Sequence, residues 1–125
     1  MDTDIKKRLM ADTDGLLTYE YIANHIDTCT AETMEFLVDN MISVDKSGQF
    51  IASAARYLSA IDPVAFKPSI SKLVAAVIEK DREHRYLADL IRGVYGEDYA
   101  MRADELRATD DNFRRIEKRL KSDLI

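Results

Sequence analysis

Met34-Glu35-Phe36-Leu37-Val38-Asp39-Asn40-Met41-Ile42-Ser43-Val44-Asp45-Lys46-Ser47-Gly48-Gln49-Phe50-Ile51-Ala52-Ser53-Ala54-Ala55-Arg56-Tyr57-Leu58 is the stretch from which the fold class is read. Met34, Leu37, Val38, Met41 and Ile42 recur at i, i+3, i+4, i+7 and i+8, the spacing of one apolar helix face. Thr30, followed by Glu32 and Thr33, opens this helix as an N-cap. Ser47-Gly48 breaks it. A second stripe then runs through Phe50, Ile51, Ala54, Ala55, Leu58 and Ile61 and stops at Asp62-Pro63. Proline lacks an N–H and pushes the residue before it out of the helical region. The unit is a helix, an Asp-bearing turn and a second helix.

The same pattern extends in both directions. Upstream, Ile5, Leu9 and Met10 mark a short helix that the Asp12-Thr13-Asp14-Gly15 turn stops, and Thr18 is placed to cap a second one carrying Tyr19, Ile22, Ala23 and Ile26. Downstream, Pro68-Ser69 starts a helix with Ile70, Leu73, Val74, Val77 and Ile78. Asp81 restarts another, with Tyr86, Leu87, Leu90, Ile91 and Val94, and the Gly93 to Gly96 stretch ends it. Two more follow, one with Tyr99, Ala103 and Leu106, one with Phe113, Ile116 and Leu120, and Asp110 stands between them as a cap. Sustained period-2 alternation is absent, and four Gly with two Pro are few for a chain built on many β-turns. The expected fold is all-α, with about eight short helices in antiparallel pairs.

Self-comparison suggests an internal repeat. A shift of 36 residues carries Leu37 onto Leu73, Val38 onto Val74, Ile42 onto Ile78, Asp45 onto Asp81, Phe50 onto Tyr86 and Ile51 onto Leu87. A shift of 29 carries Asp81 onto Asp110, Leu87 onto Ile116 and Ile91 onto Leu120. No single shift aligns residues 3–27 well with the later units. The three aspartates are expected in equivalent turns, each capping the helix that follows.

A helix, Asp-bearing turn and helix of this length resembles a HEAT or armadillo-type α-solenoid repeat. The likeness rests on Phe36 to Ile61, with Asp45 at the turn and Ala52-Ser53-Ala54-Ala55-Arg56-Tyr57-Leu58 on the second helix, and extends over roughly residues 30–122. Arg56 matches the basic residue that such repeats often carry on the second helix; Arg92 is its counterpart in the next unit, and the third unit has Lys121 there. The resemblance implies a HEAT-like α-α superhelix that binds other macromolecules and performs no chemistry. Stacking fits the same expectation, because one hairpin cannot bury its apolar face alone.

Composition narrows the class. The 125 residues fit one helical-repeat domain, residues 1–125. Eighteen Lys plus Arg against 23 Asp plus Glu leave a formal charge of −5. Cys29 is the single cysteine, which excludes an internal disulfide and suits a reducing compartment. Residues 1–8 lead into no apolar segment, so no signal peptide is expected, and no apolar run approaches the ~18 residues of a membrane span. A cytoplasmic protein without membrane contact is the expectation.

Candidate sites are weighed on the same terms. Residues 18–43 read like a helix-turn-helix, but residues 9–45 hold eight acidic side chains and no Lys or Arg. Glu32, Glu35 and Asp39 would face phosphates with like charge, so DNA binding through this segment is set aside. Arg114, Arg115, Lys118, Arg119 and Lys121 concentrate positive charge at the C-terminal end. They offer either a patch for nucleic acid or complementation of the helix dipole. His25 and Cys29 stand four apart, too few ligands for structural zinc, and no metal or cofactor is expected. Asp12-Thr13-Asp14-Gly15 opens like an EF-hand loop, but its glycine is misplaced and Ala23 occupies the position of the bidentate Glu. No G-x-S-x-G, Gly-rich phosphate loop or H-E-x-x-H is present, so no enzyme is expected. Tyr and Arg are enriched in binding hot spots, which makes Arg56, Tyr57, Arg92 and Tyr95 the expected partner-binding residues. The expected function is a non-catalytic protein–protein interaction module; the alternative is a small nucleic-acid-associated regulator using the basic C-terminal helix.

Overall fold

The computed structural model describes residues 1–123. The described chain is all-α and without strands: α1 (Thr3–Met10), α2 (Leu16–Asn24), α3 (Ala31–Val44), α4 (Gln49–Ile61), α5 (Lys67–Lys80), α6 (Leu87–Tyr95), α7 (Ala103–Thr109) and α8 (Asp111–Ser122), with one 3₁₀ turn at Tyr99–Arg102. None of these helices is long and apolar enough to cross a membrane.

The turns are organised by aspartates. At the α3–α4 turn Asp45 is buried, and its Oδ1 accepts the N–H groups of Ser47 and Gly48, each at 3.0 Å. Its Oδ2 accepts those of Phe50 at 2.8 Å and Ile51 at 2.9 Å. These are the orphan donors at the start of α4, so one carboxylate both closes the turn and caps the helix. Between α5 and α6 Asp81 makes a smaller set of bonds, accepting from Arg85 N–H at 2.8 Å and Tyr86 N–H at 2.7 Å, both ahead of the first residue of α6. Asp110 accepts from Phe113 N–H at 3.0 Å at the start of α8. All three therefore sit in inter-helix turns, but only Asp45 and Asp110 bond N–H groups inside the helix that follows; Asp81 bonds residues ahead of Leu87 and does not cap α6 as expected.

The α1–α2 turn uses the same device as the α3–α4 turn, which self-comparison missed. Asp12 Oδ1 accepts from Gly15 N–H at 3.1 Å, and its Oδ2 accepts the N–H and hydroxyl of Thr18 at 2.9 and 2.7 Å. Asp12, Gly15 and Thr18 thus correspond to Asp45, Gly48 and Ile51, a shift of 33 residues. Gly15 at φ +104° and Gly48 at φ +92° supply the left-handed residue that precedes each second helix. Thr18 is consequently inside α2 rather than at its cap. Its buried hydroxyl also accepts from Asn40 Nδ2 at 3.0 Å, and Asn40 donates to Leu9 O at 2.7 Å. This buried polar cluster ties α1, α2 and α3 together. Among the described residues no buried side-chain nitrogen or oxygen lacks a partner.

Two further departures are local. Asp81 ends α5 instead of starting the next helix, which begins at Leu87 after a turn through His84 at φ +55°. The segment around Tyr99 divides into the 3₁₀ turn and the short α7, because Gly96 at φ +96° redirects the chain after α6.

Packing follows two series. Helices α1, α3 and α5 contact one another in sequence, as do α2, α4, α6 and α8, and α4 bears on α5, α2 and α6. Each helix packs on others no more than three places away along the chain. Alanines 52, 54 and 55 are buried on α4, and such small side chains let neighbouring helices approach closely. Leu37, Met41, Ile51, Leu58, Leu73, Leu90 and Phe113 fill the space between the series with no measurable exposure of most of their surface.

Candidate functional site

The four residues expected at an interface come from two neighbouring helices, and the structure gives them unequal roles. Arg56 and Arg92 are exposed, on α4 and α6. The aliphatic stem of Arg56 lies on Gly93: a Cβ at that position would stand 2.6 Å from Arg56 Cγ and Cδ. Gly93 is therefore not a helix stop but the point that lets α6 approach α4. Ser59 reinforces the pairing, donating to Val94 O at 3.2 Å. Arg92 is held by Asp89, one turn earlier, at 2.8 Å.

The tyrosines are turned inward by half. Tyr57 packs edge-on against Tyr19 of α2, centroids 6.3 Å apart, and its hydroxyl donates to Ala23 O at 3.4 Å. Tyr95 packs edge-on against Phe113 at 5.3 Å, and its hydroxyl donates to Asp110 Oδ1 at 3.1 Å. Burial, with the Asp110 charge added to it, pushes the Tyr95 phenol far above the ordinary tyrosine range. Tyr57 thus joins α4 to α2 and Tyr95 joins α6 to α8, and their hydroxyls are already engaged. What faces outward on this surface is the Arg56 and Arg92 pair, with Gln49, Ala60 and Asp89 around it.

Charge is distributed as the sequence indicates, and its pairing is visible only in three dimensions. On α8, Arg114 pairs with Asp111 at 3.0 Å and Arg115 with Glu79 of α5 at 2.9 Å. Arg107 of α7 chelates Glu117 through two bonds of 2.6 and 2.8 Å, which holds the Glu117 carboxyl below its usual range. Lys80 spans from α5 to the end of α3, where its ammonium donates to Ile42 O and Asp45 O.

Two hollows went unread in the sequence because their walls come from distant segments. A cleft of about 430 Å³ opens between α3 and the start of α5, floored by Met34, Val38, Phe66 and Pro68, with Glu35 and Lys72 at its rim. A second, of about 390 Å³, lies among α4, α5, α6 and α8 beside Tyr95 and Asn112. Cys29 stands at the edge of the first cleft, half-buried, and burial pushes its thiol up, away from the reactive thiolate. His25 is exposed and stacks on Tyr21 with centroids 3.9 Å apart. Among the described residues no group of three or more His, Cys, Asp or Glu is arranged to hold a metal ion. The Asp12 carboxylate, which opened the EF-hand-like stretch, is committed to backbone and hydroxyl donors.

Compared with protein-family models, with curated proteins and with solved structures, the chain matches none.

Proposed function

We propose that the chain is a non-catalytic protein–protein interaction module, a HEAT-like superhelix of stacked helical hairpins acting in the cytoplasm without a cofactor. The observation that carries the reading is the Asp-closed turn shared by Asp12 and Asp45, with an aspartate again in the turn at Asp81, combined with helices whose main contacts are with helices one to three places away along the chain. Arrays of this kind present equivalent positions of successive units along one surface. Arg56 and Arg92 occupy such positions, and Gly93 brings their helices together. The partner docks on this α4–α6 surface through Arg56 and Arg92, with Tyr57 and Tyr95 holding the helices in register beneath them.

A protein partner is favoured over a nucleic acid by the state of α8. Arg114 and Arg115 are already in ion pairs with carboxylates and Lys121 contacts Glu117, so among the described residues Lys118 and Arg119 are the α8 cations left free to displace counterions, on a chain whose formal charge of −5 repels a phosphate chain. The test is affinity capture with the wild-type chain and with Arg56→Glu/Arg92→Glu, followed by direct titration of any captured protein. The expected result is at least a tenfold weaker complex for the variant at unchanged melting temperature, on the order of 1.4 kcal/mol. Undiminished binding would remove this surface. A steep fall of affinity for a DNA or RNA duplex with salt would replace the reading with the nucleic-acid one.

A further inference from the structure

Two stripes of opposite charge on this molecule have the same length and mirror-image spacing. On α3, Glu32, Glu35 and Asp39 are exposed at steps of three and then four residues. On α8, Arg114, Lys118 and Lys121 are exposed at steps of four and then three. Both are single-faced helical stripes spanning about 10 Å of axis. We infer that the α3 face of one copy of this chain docks on the α8 face of a second copy, the two helices antiparallel. In that register Glu32 meets Lys121, Glu35 meets Lys118 and Asp39 meets Arg114. It rests on a different surface from the α4–α6 face.

The pairing inside each molecule selects this register. Among the described residues, Glu32, Glu35 and Lys118 take part in no ion pair, and Lys121 has only a long contact of 3.8 Å with Glu117. Asp39 and Arg114, at the other end, are already paired with Lys72 and Asp111. The antiparallel register therefore sets the two unpaired carboxylates of α3 against the unpaired and the weakly paired cation of α8. Any parallel alignment puts Glu32 against Arg114 and leaves the steps out of phase. Helix polarity acts in the same direction at one end of the contact: Glu32 and Glu35 lie toward the start of α3 and Lys118 and Lys121 toward the end of α8, so their docking joins opposite ends of two macrodipoles.

Other groups face the stripes. Lys6 of α1 lines the hollow beside Glu32, Glu35 and Asp39, and Lys72 of α5 stands on the opposite side. Glu117 lies beside Lys118 and Lys121. They reduce the net attraction without removing it, as does the amino group of Met1 beside the α3 stripe, and no large apolar side chain of α3 or α8 itself is exposed. The contact is small and electrostatic, so it forms at high protein concentration and low salt. A solution in which the chain is monomeric at ordinary salt agrees with it.

Sedimentation equilibrium of the full chain tests the inference. At ~0.01 M salt the weight-average mass should rise with concentration above 14.3 kDa, and at ~1 M salt it should return to that value. Two charge-reversed variants supply the specificity: Glu32→Lys/Glu35→Lys and Lys118→Glu/Lys121→Glu. Each alone should stay monomeric at low salt, since its two faces then carry like charge. Mixed in equal amounts they should associate again, because each restores the opposite face of the other. Circular dichroism confirms that both fold; if either does not, Glu32→Gln/Glu35→Gln and Lys118→Gln/Lys121→Gln should each weaken self-association about tenfold. A wild-type chain that stays monomeric at low salt overturns the inference. So do reversals that leave association intact, or a mixture that remains monomeric. None of these outcomes bears on Arg56 and Arg92.

Discussion

At the α3–α4 turn the Asp45 carboxylate receives four backbone N–H groups and the Ser47 hydroxyl, and Gly48 provides the left-handed residue three positions on. At the α5–α6 turn the Asp81 carboxylate receives two N–H groups, and the left-handed residue three positions on is His84. The geometry of the turn demands positive φ at that place in both. Glycine adopts it without a Cβ conflict, whereas a histidine at φ +55° carries a backbone cost. His84 has a compensation that glycine lacks, because its Nδ1 meets the Asp123 carboxylate at 2.8 Å, just beyond α8. The α3–α4 turn is self-sufficient; the α5–α6 turn is tied through His84 to Asp123 at the end of α8.

Removing the carboxylates should separate the two turns most. Asp45→Ala strands buried N–H groups at the start of α4 and should destabilise the fold by about 3 kcal/mol, while Asp81→Ala should cost about half as much. Urea denaturation of both variants measures the difference, and equal losses would mean that the additional bonds at Asp45 carry no net stability.

A smaller effect is expected at the left-handed positions. Gly48→Ala, with no atom closer than 3.8 Å to the added Cβ, should cost about 1–2 kcal/mol from backbone strain alone. His84→Gly should change stability by less than about 1 kcal/mol, since relief of strain offsets loss of the hydrogen bond between the His84 ring and Asp123. Hydrogen exchange at residues 119–123 should nevertheless quicken in His84→Gly. Unchanged exchange there would dissolve the proposed coupling between the turn and α8.

The smallest expected effect concerns the α1–α2 turn and acid. Burial at Asp12 opposes ionisation, but bonds from the Thr18 hydroxyl and from the N–H groups of Thr18, Gly15 and Asp14 outweigh it and hold the carboxyl below the usual aspartate range. A folded-state pKa below the unfolded one, ~3.9, contributes stability above that value and loses it as pH falls toward the folded pKa. Asp12→Asn should therefore lower stability at neutral pH and flatten the decline of melting temperature below about pH 4. A variant whose acid limb retains the wild-type slope would exclude Asp12 as a contributor.

The part of this architecture that could be read from the chain is local. Thr30 caps α3 through Thr33 N–H at 3.1 Å as its sequence position indicates, and the aspartates at 45, 81 and 110 are legible because each bonds groups within six residues of itself. Asp12 escaped notice for a reason that is equally local. Its helix α1 is too short to carry a stripe comparable to α3, and Thr18 stands where the later unit has Ile51, so apolar matching found nothing to align. Of the candidate surface, the residue types were legible and their division of labour was not. The sequence makes Tyr57 and Tyr95 look like exposed anchors, yet their hydroxyls are engaged by Ala23, 34 residues away, and Asp110, 15 residues away.

Sequence alone determined that this protein is helical, that aspartates stand in its inter-helix turns and that its acidic and basic side chains are segregated, since helix period, Asx bonding and charge order depend on neighbours along the chain. The tertiary structure alone decided that Gly93 is a contact for Arg56, that Asn40 joins three helices from inside, and that Arg114 and Arg115 are neutralised while Glu32, Glu35 and Lys118 are not. Those facts depend on distances between residues far apart in the chain. A periodic pattern specifies which face of a helix is buried, but not which helix covers it or which charges that covering brings within reach.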